Sequence, residues 1–433
     1  MPGSSGNPAA RTVPASDCAA LSDISPDELA RTIADLRGAQ RRLVARPRRH
    51  VIDALAAAVD AWLAPGSRWL ARAVALLPRA AGFSTEMIRH ALPTMLEPLR
   101  APALQELLAA EVGNRRGPAL ILHILPGNLP GLAAIPAALS LAIGSATLLK
   151  AGRGDRVFPA LFAASIAEHD AELGACVAAC YWPGGARAHE DLALAAADLV
   201  VASGDDATVA ALAARTRGRF IGHGHRVSFA VVTSEIAADP AAARRAASDL
   251  AADVALWDQR GCLSPQLCFV EGELDAARSF AALVAESLAT LAQRVPSGRP
   301  SGVERLALRR FRDDAEWSGL GGTSATLFAL GAEADGTVVA EPVPQFRSTP
   351  LGRSLRVMPL RRLAELGPLL SPVRSLLEAA GLAASPARWS TIAAALAAAG
   401  VHRVCALGEM QRPPLAWRQG GRPRVADWVS PSA

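Results

Sequence analysis

From about residue 119 to residue 215 the chain alternates short apolar runs with helices of small residues, four times in succession. The runs at 119–125, 146–150, 175–181 and 198–202 are strand-length and rich in Leu, Ile, Val and Ala. The segments at about 131–143, 155–168, 187–196 and 206–215 have helical length and pattern. Strands joined by single helices and short loops pair in parallel, with right-handed crossovers. The expected fold class is therefore α/β, built on a doubly wound parallel sheet. In such sheets a ligand sits at the carboxyl ends of the strands. Those ends carry Pro126-Gly127-Asn128, Lys150-Ala151-Gly152-Arg153, Trp182-Pro183-Gly184-Gly185 and Ser203-Gly204-Asp205, all small or polar loop sequences. No Gly-x-Gly-x-x-Gly follows a strand, so the standard Rossmann phosphate loop is absent.

With 433 residues, 51% of them hydrophobic and 20% charged, the chain has a globular composition and length enough for two or three domains. The formal charge of +5 is small for this length. The cluster Arg41, Arg42, Arg46, Arg48 and Arg49 reads as a solvated helix face, and no basic stripe with aromatics points to nucleic acid. The six cysteines, Cys18, Cys176, Cys180, Cys262, Cys268 and Cys405, match no disulfide framework and no zinc spacing. That usage predicts no metal site and a reducing, cytoplasmic setting. No basic segment followed by an apolar core opens the sequence, so no signal peptide is expected. Residues 118–149 lack Asp, Glu, Lys and Arg and could cross a bilayer by length. Pro126-Gly127-Asn128-Leu129-Pro130-Gly131 breaks that stretch, which reads instead as strand, turn, helix and strand, with no membrane span.

Residues 1–20 are small, polar and Pro-rich, and are expected to be flexible. Ser25-Pro26-Asp27-Glu28 is a helix start, with Ser at the N-cap, Pro in the first turn and Glu28 closing a capping box. Helical patterns continue to about residue 110. Residues 220–233 and 267–270 supply further strands, 240–256 an Ala-rich helix, and 296–302 an exposed loop. From 305 to about 400 helix and strand alternate less clearly. The tail from Gly408 to Trp428 is compositionally distinct and is expected to pack on a neighbouring element.

Cys262 lies in Asp258-Gln259-Arg260-Gly261-Cys262-Leu263-Ser264-Pro265-Gln266, on a Gly-flanked turn before an apolar strand. A thiolate attacks acyl carbonyls well, and a thiol pKa of about 8.5 falls near cations. From its own surroundings Cys262 reads first as a buried structural thiol, and motifs far upstream are what lift it. The wider set of motifs resembles the aldehyde dehydrogenase superfamily, and within it the acyl-CoA reductases of the bioluminescence fatty-acid reductase type. The matching pieces are 126–131, 144–150, Ala202-Ser203-Gly204-Asp205, 222–229, Gly261-Cys262-Leu263-Ser264-Pro265-Gln266 and Gly408-Glu409-Met410-Gln411-Arg412-Pro413-Pro414. Their order fits the superfamily plan, as do the 22 residues from Asn128 to Lys150 and the 76 from Asn128 to Gly204.

The resemblance implies chemistry residue by residue. Cys262 would form an acyl-enzyme, and the Asn128 amide with the Cys262 N–H would hold the oxyanion. Taken alone, Asn128 is also an ordinary turn residue. Lys150 would meet the cofactor ribose, and Pro126, Gly127, Ser203 and Gly204 would line the cofactor site; a strand-end Lys reaching solvent is the plainer reading of Lys150. Arg153 stands where the hydrolytic dehydrogenases carry a Glu that favours NAD. Its guanidinium suits a 2′-phosphate, so NADPH is the expected cofactor, with NADH as the alternative. Aldehyde-oxidising members also carry a water-activating Glu in the segment that here reads Gly222-His223-Gly224-His225-Arg226. No carboxylate occurs between Arg219 and Thr233. Without that base the acyl-enzyme should persist, which favours the acylating direction. His225 or His223 would serve as acid/base groups. Glu341 before Pro342 is only faintly similar to the family's later cofactor-contacting Glu.

The expected organisation is a nicotinamide-cofactor-binding domain with N-terminal helices over 21–226, a catalytic domain over 227–404 and a C-terminal arm over 405–433. The expected reaction is NADPH-dependent reduction of an acyl-CoA or acyl-carrier thioester, fatty acyl in class, to the aldehyde. An oxidising aldehyde dehydrogenase, a thiol acyltransferase and a non-catalytic interaction protein are the rivals. The superfamily resemblance implies a homo-oligomer, and the resemblance to the bioluminescence-type family implies an acyl-supplying partner protein.

Overall fold

A computed structural model of the chain describes residues 20–320, 325–329 and 335–429. Apart from residue 20, the N-terminal segment expected to be flexible lies outside the described residues, as does Cys18. The chain forms two compact units. The first takes residues up to 76, 99–223 and those from 425 onward, and the second takes 77–98 and 224–424.

The first unit opens with the helix Pro26–Ala45. Ser25 and Glu28 form the full reciprocal capping box, worth about 1 kcal/mol. Leu29, Ile33, Leu36, Ala39 and Leu43 recur every three to four residues and are buried. Helices Arg48–Leu63 and Ala101–Glu111 follow in this unit. The sheet is β1 (Leu120–Ile124), β2 (Ala146–Lys150), β3 (Val177–Cys180), β4 (Leu199–Ser203) and β5 (Arg219–His223), in spatial order β3-β2-β1-β4-β5. All four pairings are parallel, as the alternation predicts. The chain winds outward from β1 through β2 to β3, then returns to the other side of β1. That reversal places the topological switch point between β1 and β4. Ile124 pairs with Lys150 on one side and Ala202 on the other, so the three strands end level.

The second unit is a seven-stranded sheet of β6 (Val227–Val232), β7 (Pro265–Glu271), β8 (Thr326–Phe328), β9 (Thr337–Ala340), β10 (Ser354–Leu360), β11 (Leu377–Ala383) and β12 (Arg403–Ala406). The order is β12-β11-β6-β7-β10-β9-β8, parallel except for the antiparallel pair β8–β9 at one edge. Central strands β6 and β7 are buried almost throughout because both faces are covered. One face meets helices Pro240–Ala255 and Leu274–Arg294 through Ala247, Leu250, Val254, Phe280 and Val284. The other meets Leu366, Leu370, Ile392 and Leu396. The strand-forming stretch 220–233 is two strands in two different sheets, split at Gly224-His225-Arg226. No helix among the described residues is long and apolar enough to cross a membrane.

Candidate active site

In the first unit, the loops after β1 and β2 lie backbone against backbone. A Cβ on Gly127 would stand 2.7 Å from the Gly154 nitrogen, and one on Gly152 would stand 2.4 Å from the Gly127 nitrogen. Only glycine permits that approach. The Leu125 amide donates to the Lys150 carbonyl at 3.0 Å, which extends the strand pairing into this junction. Pro126 and Gly127 are half-buried and Asn128 is exposed at the tip of its loop. Arg153 is exposed on the turn that follows β2. Behind that turn Asp155 is buried and accepts from the Phe158 amide at 3.0 Å; burial pushes its carboxyl up to about 7.

Lys150 is half-buried at the end of β2, with Nζ 5.5 Å from the Tyr181 ring and 6.0 Å from the Trp182 ring. Burial lowers its pKa, Glu190 raises it and Arg156 lowers it further. The Arg156 guanidinium stacks 3.3 Å from the same Tyr181 ring. Ser203 and Gly204 end β4 half-buried, and the Gly204 amide donates to the His223 carbonyl at 3.1 Å. Asp205 then caps the next helix by accepting from Thr208 N at 2.7 Å. Pro126, Gly127, Asn128, Lys150, Arg153, Ser203 and Gly204 thus share the carboxyl ends of three adjacent strands.

In the second unit, Cys262 is preceded by Trp257, Asp258 and Gln259, at φ of 56°, 48° and 65°. Three consecutive left-handed non-glycine residues are costly, on the order of 1–3 kcal/mol each, and persist only where the surroundings enforce them. Here a second left-handed run, Leu351, Gly352 and Arg353, grips the first. The Gly352 amide donates to the Asp258 carbonyl at 3.2 Å. Fully buried Arg353 places Nε 3.0 Å and Nη2 2.9 Å from Asp258 Oδ1, and the Gly298 amide donates to Oδ2 at 2.9 Å. Gln259 Nε2 donates to the carbonyls of Pro265 and Ser354, each at 2.7 Å, while its oxygen accepts from Ser354 N at 2.9 Å. The strained turn is locked on both sides, and it fixes where the cysteine loop begins.

The Cys262 carbonyl accepts from buried Ser228 Oγ of β6 at 2.7 Å, and that same Oγ accepts from the Ala379 amide of β11 at 3.2 Å. Gln411 Nε2 donates to Ser264 Oγ at 2.8 Å, tying the tail to the loop. The thiol is pushed up to about 12, first by burial and then by Glu378, against weaker downward pulls from its own backbone amide, Arg424 and Arg226. Glu378 lies on β11 with no exposed surface. Its Oε1 accepts from Gly420 N at 2.9 Å; its Oε2 is 3.7 Å from Arg226 Nε and receives no hydrogen bond. Burial raises the Glu378 pKa, while the Gly420 amide, Arg226 and Arg424 lower it. His225 is exposed between β5 and β6. Glu341 is buried and accepts from Arg347 at 2.9 Å and also from Arg356, a structural ion cluster.

Sequence reading singled out Cys262 but missed Glu378, Ser228 and the Asp258–Arg353 clasp. Glu378 sits in the apolar run Leu376-Leu377-Glu378-Ala379-Ala380, where a lone carboxylate in a strand was the available signal. Among the described residues no group of three or more His, Cys, Asp or Glu could hold a metal ion.

This two-sheet architecture is that of the aldehyde dehydrogenases. An NADP-dependent glyceraldehyde-3-phosphate dehydrogenase from Bacillus halodurans C-125, solved with NADP, matches at TM-score 0.72 and 16% identity, covering 91% of this chain and 85% of that one. A NAD-dependent benzaldehyde dehydrogenase from Corynebacterium glutamicum matches at 0.69 and 15%, covering 90% and 88%. An aldehyde dehydrogenase from Pseudomonas syringae, solved with NAD+ and octanal, matches at 0.69 and 15%, covering 88% and 81%. No curated protein sequence matches the chain. The family model described as acyl-CoA reductase (LuxC) matches residues 44–421, and the chain belongs to that family. Family and fold together make it an oxidoreductase of the aldehyde and acyl class.

Proposed function

We propose that the protein reduces an acyl-CoA, or an equivalent acyl-carrier thioester, to the aldehyde through an acyl-enzyme on Cys262, with NADPH as the reductant. The observation that carries this reading is the construction around Cys262: a nucleophile-bearing turn held in a strained conformation by a buried ion pair and a glutamine clamp. Strain of that kind collects at functional sites. The Cys262 sulfur attacks the thioester carbonyl, and the coenzyme thiol leaves. The Asn128 amide and the Cys262 N–H are the donors assigned to the developing oxyanion. The first unit fits a nicotinamide dinucleotide in three respects: the switch-point crevice, the glycine junction at 127, 152 and 154, and a half-buried Lys150 at a strand end. NADPH, when bound, supplies the hydride that takes the acyl group to the aldehyde level. Lys150 holds the ribose side of that ligand and Arg153 its 2′-phosphate, with Pro126, Gly127, Ser203 and Gly204 lining the crevice. His225, exposed before β6, is the assigned proton donor to the product side. No carboxylate occurs in the β5–β6 segment, where the aldehyde-oxidising members resembled here carry their water-activating Glu.

The test follows NADPH loss and aldehyde formation with acyl-CoAs of graded length, beside Cys262→Ala. Aldehyde from the wild type and none from the variant supports the reading, and the length profile names the acyl class. An acyl adduct on Cys262 without NADPH consumption would instead favour an acyltransferase.

A further inference from the structure

We propose that Glu378 is the base that takes the proton of the Cys262 thiol. This rests on the reading of Cys262 as the nucleophile and supplies the step that reading lacks. A half-buried thiol with no base beside it does not ionise readily, and the β5–β6 segment offers no carboxylate. The structure brings one from another strand. A single hydroxyl, Ser228 Oγ, joins the Cys262 carbonyl at 2.7 Å to the amide of Ala379 at 3.2 Å, and Glu378 is the residue before Ala379. Pairing between β6 and β11 is irregular at this point, with the register shifting between Leu377 and Ala380. Glu378 lies within that irregularity, in a strand otherwise made of apolar residues.

A carboxylate with no exposed surface normally has both oxygens hydrogen-bonded. In Glu378 only Oε1 is, to the Gly420 amide. Oε2 has the more distant Arg226 guanidinium at 3.7 Å and a vacant acceptor site. The charged and titratable groups facing this carboxylate are Arg226, Arg424 and Cys262, with His402 beside Arg226. The two arginines keep Glu378 able to ionise, while burial keeps it more basic than an ordinary Glu. Sulfur and carboxylate then share one proton and one negative charge, and they titrate as a pair.

The step balances without any redox change. The Sγ–H bond breaks, its electron pair stays on sulfur, and an O–H bond forms on Glu378. Sulfur bonds to the acyl carbon, the bond from that carbon to the coenzyme sulfur breaks, and the departing thiolate recovers the proton from Glu378.

The readout is alkylation of Cys262 by iodoacetamide, followed peptide by peptide by mass spectrometry from pH 5 to 10, in wild type, Glu378→Gln and Glu378→Asp. The wild type should show an acidic limb set by Glu378. The Gln variant should lose that limb, react about 10²–10⁴-fold more slowly at neutral pH, and gain rate only as the thiol itself ionises. A Gln variant alkylated as fast as wild type, or faster, with the limb unchanged overturns the proposal and makes Glu378 merely a repelling neighbour. Should the Gln variant not fold, the Asp variant decides. Its shortened reach should keep the limb at a reduced rate, and wild-type rates at every pH would overturn the proposal. The assay needs neither acyl-CoA nor NADPH. If no acyl-CoA is reduced, the proposed reaction fails while the alkylation profiles still report on Glu378.

Discussion

Arg153 stands exposed on the turn after β2, beside the backbone junction of Gly127, Gly152 and Gly154. Charge-assisted hydrogen bonds to phosphate are worth about 1.5–3 kcal/mol, or roughly 10- to 100-fold in binding. Arg153→Glu should therefore lower the NADPH-to-NADH ratio of kcat/KM by about that factor. Steady-state kinetics with both cofactors measure it, and an unchanged ratio would remove Arg153 from the cofactor site. The position of Arg153 was legible in the sequence because it is local, fixed by the strand end that precedes it. The place of Cys262, on a turn just before β7, was legible for the same reason. Glu378 was not, because it lies 116 positions beyond Cys262, and only the β6–β11 pairing brings its strand beside the cysteine loop. The Asp258–Arg353 clasp shares that difficulty. Asp258 was visible beside Cys262, but nothing in the sequence predicts φ above 40° at three successive side chains, or an arginine 95 positions away that compensates the carboxylate.

The glycine junction belongs to the scale of elements, since it sets how closely two crossover loops approach. A methyl on Gly127 would stand 2.7 Å from the Gly154 nitrogen and 3.2 Å from the Arg153 nitrogen, backbone atoms that cannot swing aside. Overpacking of this kind costs about 1–3 kcal/mol. Gly127→Ala should part the loops and weaken NADPH binding by roughly tenfold, while the rate of Cys262 alkylation stays at the wild-type value. Cofactor titration by nicotinamide fluorescence, beside the alkylation assay, checks both halves; unaltered affinity would mean that the junction does not shape the cofactor site. The alternation of strand and helix over 119–215 was legible because each period changes from two to 3.6 across a Pro/Gly turn. Helices 187–196 and 206–215 and strand 146–150 fall where that pattern places them. Beyond residue 305 the signal fades. Strands β9 and β10 are buried on both faces, so they lack alternation, and β8 is only three residues long. Residues 220–233 read as strand, but only pairing partners reveal that β5 and β6 belong to separate sheets.

Each unit contains one deeply buried carboxyl whose pKa burial raises to about 7, Asp155 in the first and Asp253 in the second. Both act as local organisers. Asp155 accepts from the Phe158 amide at the start of a crossover helix. Asp253 accepts from the amides of Gly408 at 2.6 Å and Met410 at 3.0 Å, and so folds the tail motif onto the helix Pro240–Ala255. The folded state binds a proton on each more tightly than the unfolded chain, whose aspartates titrate near 3.8. A raised carboxyl pKa contributes stability that is complete below about pH 4 and is lost as pH climbs to 7, because the unfolded chain gives up the proton first. Between pH 5 and 8 each residue should therefore lower the unfolding free energy by about 3 kcal/mol. Asparagine does not titrate; it keeps the acceptor for Phe158 at 155 and one of the two acceptors at 253, where the lost bond is a pH-independent cost. Asp155→Asn and Asp253→Asn should each flatten the decline, and urea unfolding at successive pH values measures it. If a variant reproduces the wild-type pH slope, the carboxyl it replaced is ionised throughout the range. Its amide donors then outweigh its burial, and the pH dependence of stability has to come from other groups.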